Sequence, residues 1–293
     1  MDIERHTNGE QAALWNGSGG QAWIAAMELL DQVFKPFEAM LAEAVAARAA
    51  NRVLDVGCGT GSTTLAAARA PGARRACVGV DISAPMIDAA RARAQRAGVA
   101  ADFIVADAQV HAFGRASFDL IVSRFGVMFF DDPVAAFANL RRAASDGAGL
   151  YLLAWRGAQE NPFMTTAERA AAPYLPAIPA RVPDAPGQFA FADARRVRGI
   201  LSASGWDGID IRPVDAVCRF PAHELERYFT QLGPLGRALP AVDPHVRGEL
   251  VEKVHAAFDP YVHGAEVRFD AACWIIEARA TRRLVAPHEH AHD

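Results

Sequence analysis

The chain has 293 residues, 52% of them apolar and 22% charged, with a formal net charge of −4. That balance describes a folded globular protein and gives no electrostatic footing for a nucleic-acid partner. No run approaches the ~20 uninterrupted apolar residues that span a bilayer, and the polar start Met1-Asp2-Ile3-Glu4-Arg5-His6 has no apolar leader, so the expected compartment is the cytoplasm.

Residues 10–49 carry two helical patterns, one holding Trp15, Trp23, Met27 and Leu30, the other running from Phe34 through an alanine-rich stretch to Ala50. From 52 onward, short apolar runs alternate with helical ones, the pattern of a parallel sheet. Strands are predicted at 52–56, 77–81, 102–105, 118–122 and 149–155, and helices at 61–69, 84–97 and 133–144. Pro85 and Pro133 suit first-turn positions, where the missing N–H costs nothing. After Trp155 the alternation stops. Prolines at 162, 173, 176, 179, 183 and 186 leave room for one short helix near 163–171, and a long insertion of this kind reads as a lid. A helix at 192–204 and a strand at 208–220 follow, then helical stretches at 222–239 and 244–261 and a long apolar strand at 266–279. The four cysteines, Cys58, Cys77, Cys218 and Cys273, form no C-x-x-C pair and read as reduced core or site residues.

The first strand leads into Asp55-Val56-Gly57-Cys58-Gly59-Thr60-Gly61, and the second ends on Asp81. Strand, glycine turn, helix and strand-end acid make a nucleotide-binding half-fold. A dinucleotide fingerprint would need a glycine where Ser62 stands, and a carboxylate at the loop mouth disfavours a pyrophosphate. An NAD-dependent dehydrogenase is therefore disfavoured, and a cationic, phosphate-free cofactor is favoured.

At these residues the chain resembles the class I S-adenosylmethionine-dependent methyltransferases, whose first motif has this Asp/Glu-x-Gly-x-Gly-x-Gly form. The resemblance covers 50–155 well and the rest loosely. It implies a Rossmann-like α/β fold: a seven-stranded sheet with helices on both faces, an antiparallel last strand and a helical cap from insertions. The corresponding division is an N-terminal helical segment over the cofactor (1–50), the core (51–156, 192–221 and 263–281), a lid (157–191), a second cap (222–262) and a disordered tail (282–293).

By the same resemblance, Asp55 faces the cofactor ammonium, while Gly57, Gly59 and Gly61, with Cys58 among them, let backbone approach the ligand. Asp81 accepts both ribose hydroxyls, and Ile82 and Met86 pack on the adenine. Asp107 takes the adenine amine and the amide of Ala108 a ring nitrogen; Asp107 alternatively caps a turn. Ser123, Arg124 and Phe125 flank the sulfonium and the acceptor's way in. Trp15, in a Trp-Asn segment before a glycine stretch, either folds over the cofactor and holds the sulfonium by cation–π attraction or is plain helix core.

The implied activity is transfer of a methyl group by SN2 displacement to a small, aromatic or lipophilic acceptor, similar to the ubiquinone/menaquinone-biosynthesis-type branch. Aromatic residues of the insertions, among them Phe163, Tyr228 and Phe229, either line an acceptor pocket or anchor the lid. His223 and His263 bracket the second insertion and are the candidate bases, although a lone histidine is more often surface or core. No metal site is expected; the His288-Glu289-His290 tail binds metal at most adventitiously. A non-catalytic S-adenosylmethionine-binding regulator and a protein or RNA methyltransferase are the alternatives, and a homodimer stays open.

Overall fold

The computed structural model describes residues 8–71, 76–175, 181–182 and 184–281. The expected tail and its histidines lie outside the described residues. The N-terminal region is four short helices rather than two: α1 (Gly9–Asn16), α2 (Ser18–Ala25), α3 (Met27–Val33) and α4 (Lys35–Ala47). Gly17 breaks the first pair, with backbone too extended for a helix (φ −102°, ψ −136°). Pro36, in the first turn of α4, cannot continue the hydrogen bonding of α3. Leu30, Val33, Phe37, Leu41 and Val45 are fully or almost fully buried and hold α3 and α4 to the core.

The alternating region folds as read: β1 (Arg52–Val56), α5 (Ser62–Arg69), β2 (Ala76–Asp81), α6 (Ala84–Ala97), β3 (Asp102–Val105), β4 (Phe118–Arg124), α7 (Pro133–Ala143) and β5 (Ala144–Trp155). Helix starts carry their own signals. Ser83 caps α6 through the Met86 amide at 3.4 Å, and Asp132 caps α7 through Ala135 at 2.9 Å. Beyond β5 come α8 (Pro162–Ala171), α9 (Ala194–Ala203), β6 (Asp207–Pro221), α10 (Leu225–Gln231), α11 (Gly233–Ala238), α12 (Pro244–Ala257), the two-residue β7 (Val262–His263) and β8 (Glu266–Arg279).

The sheet order is β3-β2-β1-β4-β5-β8-β6, with β7 on β8. β1 to β5 pair in parallel, and β8 inserts antiparallel between β5 and β6. This is the mixed α/β arrangement that the resemblance implied, last strand included. Because the chain leaves β1 toward β2 and later returns to its other side as β4, a crevice opens at the carboxyl ends of β1 and β4. Ligands of open α/β sheets bind at such a switch point. No helix among the described residues is long and apolar enough to cross a membrane.

Candidate functional site

The loop after β1 is held by its own backbone. Gly57 and Cys58 amides donate to Val80 O (2.8 and 3.1 Å), the Gly61 amide to Cys58 O (2.9 Å), and the Gly59 amide to Asp81 Oδ2 (2.8 Å). The three glycines all sit at positive φ, but for different neighbours. A Cβ on Gly57 would lie 2.6 Å from Gly126 Cα, and one on Gly61 2.9 Å from Ala90 Cβ. Those two glycines let β1 pass the β4 loop and α5 pass α6. Only at Gly59 are the nearest atoms, Met86 Sδ and Trp23 Nε1, at ordinary contact distance (3.7 and 3.8 Å).

Asp81 also accepts from the Ser83 amide at 2.9 Å, so each of its oxygens holds one backbone N–H and keeps a lone pair. Burial pushes its carboxyl up to about 6 against the pull of these amides. Asp107 accepts from the Gln109 amide and from the Asn8 side chain, both at 2.9 Å. Asn8 lies just before α1, and the end of α1 is fastened as well. Ser83 Oγ donates to Trp15 O at 2.6 Å, and Asn16 receives the Ala84 amide at 3.0 Å and donates to Ile82 O at 3.1 Å. These bonds bring Trp15 over the loop, edge-on to Trp23 and Phe129.

These elements enclose a cavity of about 460 Å³. Of the residues expected to hold a cofactor, Trp15, Gly57, Cys58, Gly59, Asp81, Ile82, Met86, Asp107, Ala108, Arg124 and Phe125 line it. Cys58 is a neutral thiol there, its pKa raised by burial and by the charges of Asp81 and Asp55. Arg124, on the last turn of β4, donates from Nη2 to Ser62 Oγ at 2.9 Å and lies over the Phe34 ring at 5.5 Å. Its Nη1 is buried without a hydrogen-bond partner. Phe125 holds φ +63°, a strained value for an aromatic residue, and stacks on Trp155 at 4.4 Å.

Asp55, Gly61 and Ser123 are outside the cavity lining. Asp55 is 1% exposed; its Oδ2 accepts from the hydroxyls of Thr63 (2.5 Å) and Thr64 (2.7 Å), in the first turn of α5. It therefore fastens a helix N-terminus behind the loop, where burial raises its pKa against the pull of the two hydroxyls. Ser123 Oγ donates to Val56 O at 2.6 Å and ties β4 to β1. Gly61 is spent on helix packing, as above.

The candidate bases are likewise outside the lining. His223 has a 78% exposed side chain beside Glu224, His263 is exposed on β7, and neither reaches the cavity. The insertions brought them to the outer face of the cap because only one side of each insertion can pack inward. The far half of the cavity is instead walled by residues of α8, α10, α11 and the end of α12, with Phe163, Tyr228, Phe229, Leu235 and Phe258 prominent. Of the other aromatics in and beside the insertions, Tyr174 is 46% exposed and Phe220, under Tyr228, supports the wall without lining it. Among the described residues no group of three or more histidine, cysteine, aspartate or glutamate side chains could hold a metal ion.

Residues 53–147 match the family model of a methyltransferase domain. That stretch, from β1 to the start of β5, is similar to methyltransferase domains. The chain is 38% identical over 89 residues to the aklanonic acid methyltransferase DauC of Streptomyces sp. (strain C5), an alignment covering 30% of this chain and 40% of that one. It is 36% identical over 107 residues to the demethylmenaquinone methyltransferase of Thermus thermophilus, covering 36% and 48%. The matches thus span under half the length of these relatives. Among solved structures, the YcgJ protein of Bacillus subtilis superposes with a TM-score of 0.54 at 18% identity, covering 84% of this chain and 98% of that one, which is a likeness of fold.

Several residues that line the cavity carry no signal of their own in the sequence. Asn8 carries no motif, and Phe34 and Trp155 stand only as the start of a helical pattern and the end of a strand. Arg237 lies in the short α11, whose Gly-Pro-Leu-Gly-Arg-Ala sequence has no periodicity to orient it. The one available signal was position: all four flank the carboxyl ends of the strands or the insertions.

Proposed function

We propose that this protein binds S-adenosylmethionine in the cavity and transfers the methyl group to a small, aromatic or lipophilic molecule. The observation that carries the reading is the donor set of the cofactor half. The amides of Gly57, Cys58, Gly59 and Gly61 all donate within the protein, so they offer no cradle for a pyrophosphate. What the lining does include is Arg124, whose buried Nη1 has no hydrogen-bond partner among the described residues, and the carboxylates of Asp81 and Asp107. A phosphate-free ligand with an α-carboxylate, a ribose diol and an adenine amine fits that set.

In this reading Asp81 receives the ribose hydroxyls, Asp107 and the Ala108 amide take the adenine edge, and Ile82 and Met86 cover its ring. Arg124 receives the carboxylate, a role distinct from the sulfonium-flanking one expected from sequence. Bound S-adenosylmethionine supplies a methyl carbon already activated by the adjacent sulfonium. The chain's own work is alignment and exclusion of water. The aromatic walls contributed by Trp15, Trp23, Phe34 and Phe125 are suited to both, since their faces attract a cation. The segments 157–191 and 222–262 act as the cap over the acceptor. The free, buried cysteines call for no oxidising compartment and agree with a cytoplasmic enzyme.

Calorimetry with S-adenosylmethionine and S-adenosylhomocysteine tests the reading directly. Micromolar binding of both is expected, and absence of binding at high micromolar concentration overturns it.

A further inference from the structure

Resting on the reading above, which divides the cavity into cofactor and acceptor halves, we propose that Arg237 selects an acceptor bearing an oxyanion, a carboxylate or ionised phenol, on an aromatic body. Among the described residues three charged side chains line the acceptor half: Glu168, Arg181 and Arg237. Glu168 and Arg181 satisfy each other, Arg181 donating from Nη2 at 2.6 Å and from Nε at 3.2 Å. Arg181 is further committed to the Phe189 ring, 4.7 Å from its centroid. Arg237 has no hydrogen bond, ion pair or ring contact among the described residues. The three charges therefore leave one positive charge on this wall, and Arg237 carries it.

The surroundings make that charge effective. Desolvation lowers the pKa of Arg237, with the field of Glu168 acting the other way, so the guanidinium has already lost part of its hydration. Arg237 keeps an exposed edge to water, so its guanidinium is free to move onto an anion entering beside it. Beside it the wall is apolar and aromatic, from Phe163, Phe229, Leu235 and Phe258. Tyr228 adds one hydroxyl donor, whose sole partner among the described residues is the thioether Met164 Sδ at 3.4 Å. Burial raises the pKa of that phenol, so it stays protonated and can donate to an oxyanion. A neutral lipophile would fill the apolar wall but leave both donors unanswered.

Naphthalene-2-carboxylate and its neutral isostere naphthalene-2-carboxamide are suitable probes, titrated into the full chain with and without saturating S-adenosylhomocysteine. The carboxylate is expected to bind about tenfold more tightly, a typical return for one charge-assisted contact. Arg237→Gln should bring the two probes within about twofold of each other. Arg237→Lys should restore part of the difference, and the affinity for S-adenosylhomocysteine should be unchanged in both variants. Equal binding of the probes to the unmodified protein, binding of neither at low millimolar concentration, or a preference that survives Arg237→Gln each overturns the proposal. Failure of S-adenosylhomocysteine to bind sinks the cofactor reading instead, and the carboxylate preference measured without it still decides this one.

Discussion

Cofactor affinity should fall on mild acidification because of Asp81. Its carboxyl, pushed up to about 6 by burial, holds Gly59 and Ser83 amides at 2.8 and 2.9 Å and has one lone pair per oxygen left for a diol. Only the ionised form can accept from both hydroxyls. With a pKa of about 6, roughly one molecule in eleven is ionised at pH 5 and nearly all at pH 7.5. If the ligand requires the carboxylate, S-adenosylhomocysteine should bind about tenfold more weakly at pH 5 than at pH 7.5. Near pH 6 binding should also release a fraction of a proton, visible as a heat difference between buffers of unequal ionisation enthalpy.

The fold does not weaken through the same group. Between the unfolded value near 4 and the folded value of about 6, the native carboxyl binds a proton that the unfolded chain releases. Its share of stability is fully present at lower pH and is lost as pH rises through about 6, so acidification to pH 5 separates loss of binding from loss of structure. Asp81→Asn should remove the pH dependence and weaken binding by about 1–3 kcal/mol, because one amide nitrogen then opposes a backbone N–H. A flat affinity from pH 7.5 to 5 in the unmodified protein, or the same slope in Asp81→Asn, refutes the ribose assignment.

Arg124→Gln should weaken S-adenosylhomocysteine about tenfold in calorimetry while leaving 5′-methylthioadenosine, which lacks the amino-acid end, unchanged; equal losses for both ligands would place the guanidinium elsewhere. The two loop glycines should separate fold from site. Gly57→Ala puts a methyl 2.6 Å from Gly126 Cα at φ +66° and should cost about 2–5 kcal/mol, lowering Tm by roughly 5–15 °C. Gly59→Ala meets only ordinary contacts at φ +54°, so it should cost about 1 kcal/mol in denaturant unfolding yet weaken the cofactor about tenfold.

The sheet was legible because each element carries its own signals. The spans 52–56, 84–97, 102–105 and 266–279 are the same in sequence and structure, bounded by a serine cap, a proline or a glycine. β5 begins at Ala144 rather than 149, since pairing with β4 and β8 overrides the polar Ser145-Asp146-Gly147 that suggested a turn. In the site, Asp81 and Asp107 could be read because a strand-end acid at the switch point has little choice of direction. Asp55, one position from the end of its strand, points the other way by the alternation of the pleat. Its two hydroxyl donors, Thr63 and Thr64, stand in the sequence directly after the glycines and were the signal for that inward role.

The acceptor half was illegible for a physical reason that also bears on catalysis. Its walls come from α8, α10 and α11, short helices whose facing depends on contacts with one another rather than on a repeating apolar stripe. Sequence could nominate histidines there, but it could not orient them. The structure puts His223 and His263 outside and leaves Glu168 tied to Arg181, so among the described residues no side chain on that wall stands free as a base. Under the proposed function, methyl transfer would draw on alignment and desolvation, and would suit an acceptor whose nucleophilic atom needs no proton removed by the protein. The unpaired guanidinium of Arg237 and the protonated hydroxyl of Tyr228 suit an acceptor that is already an anion.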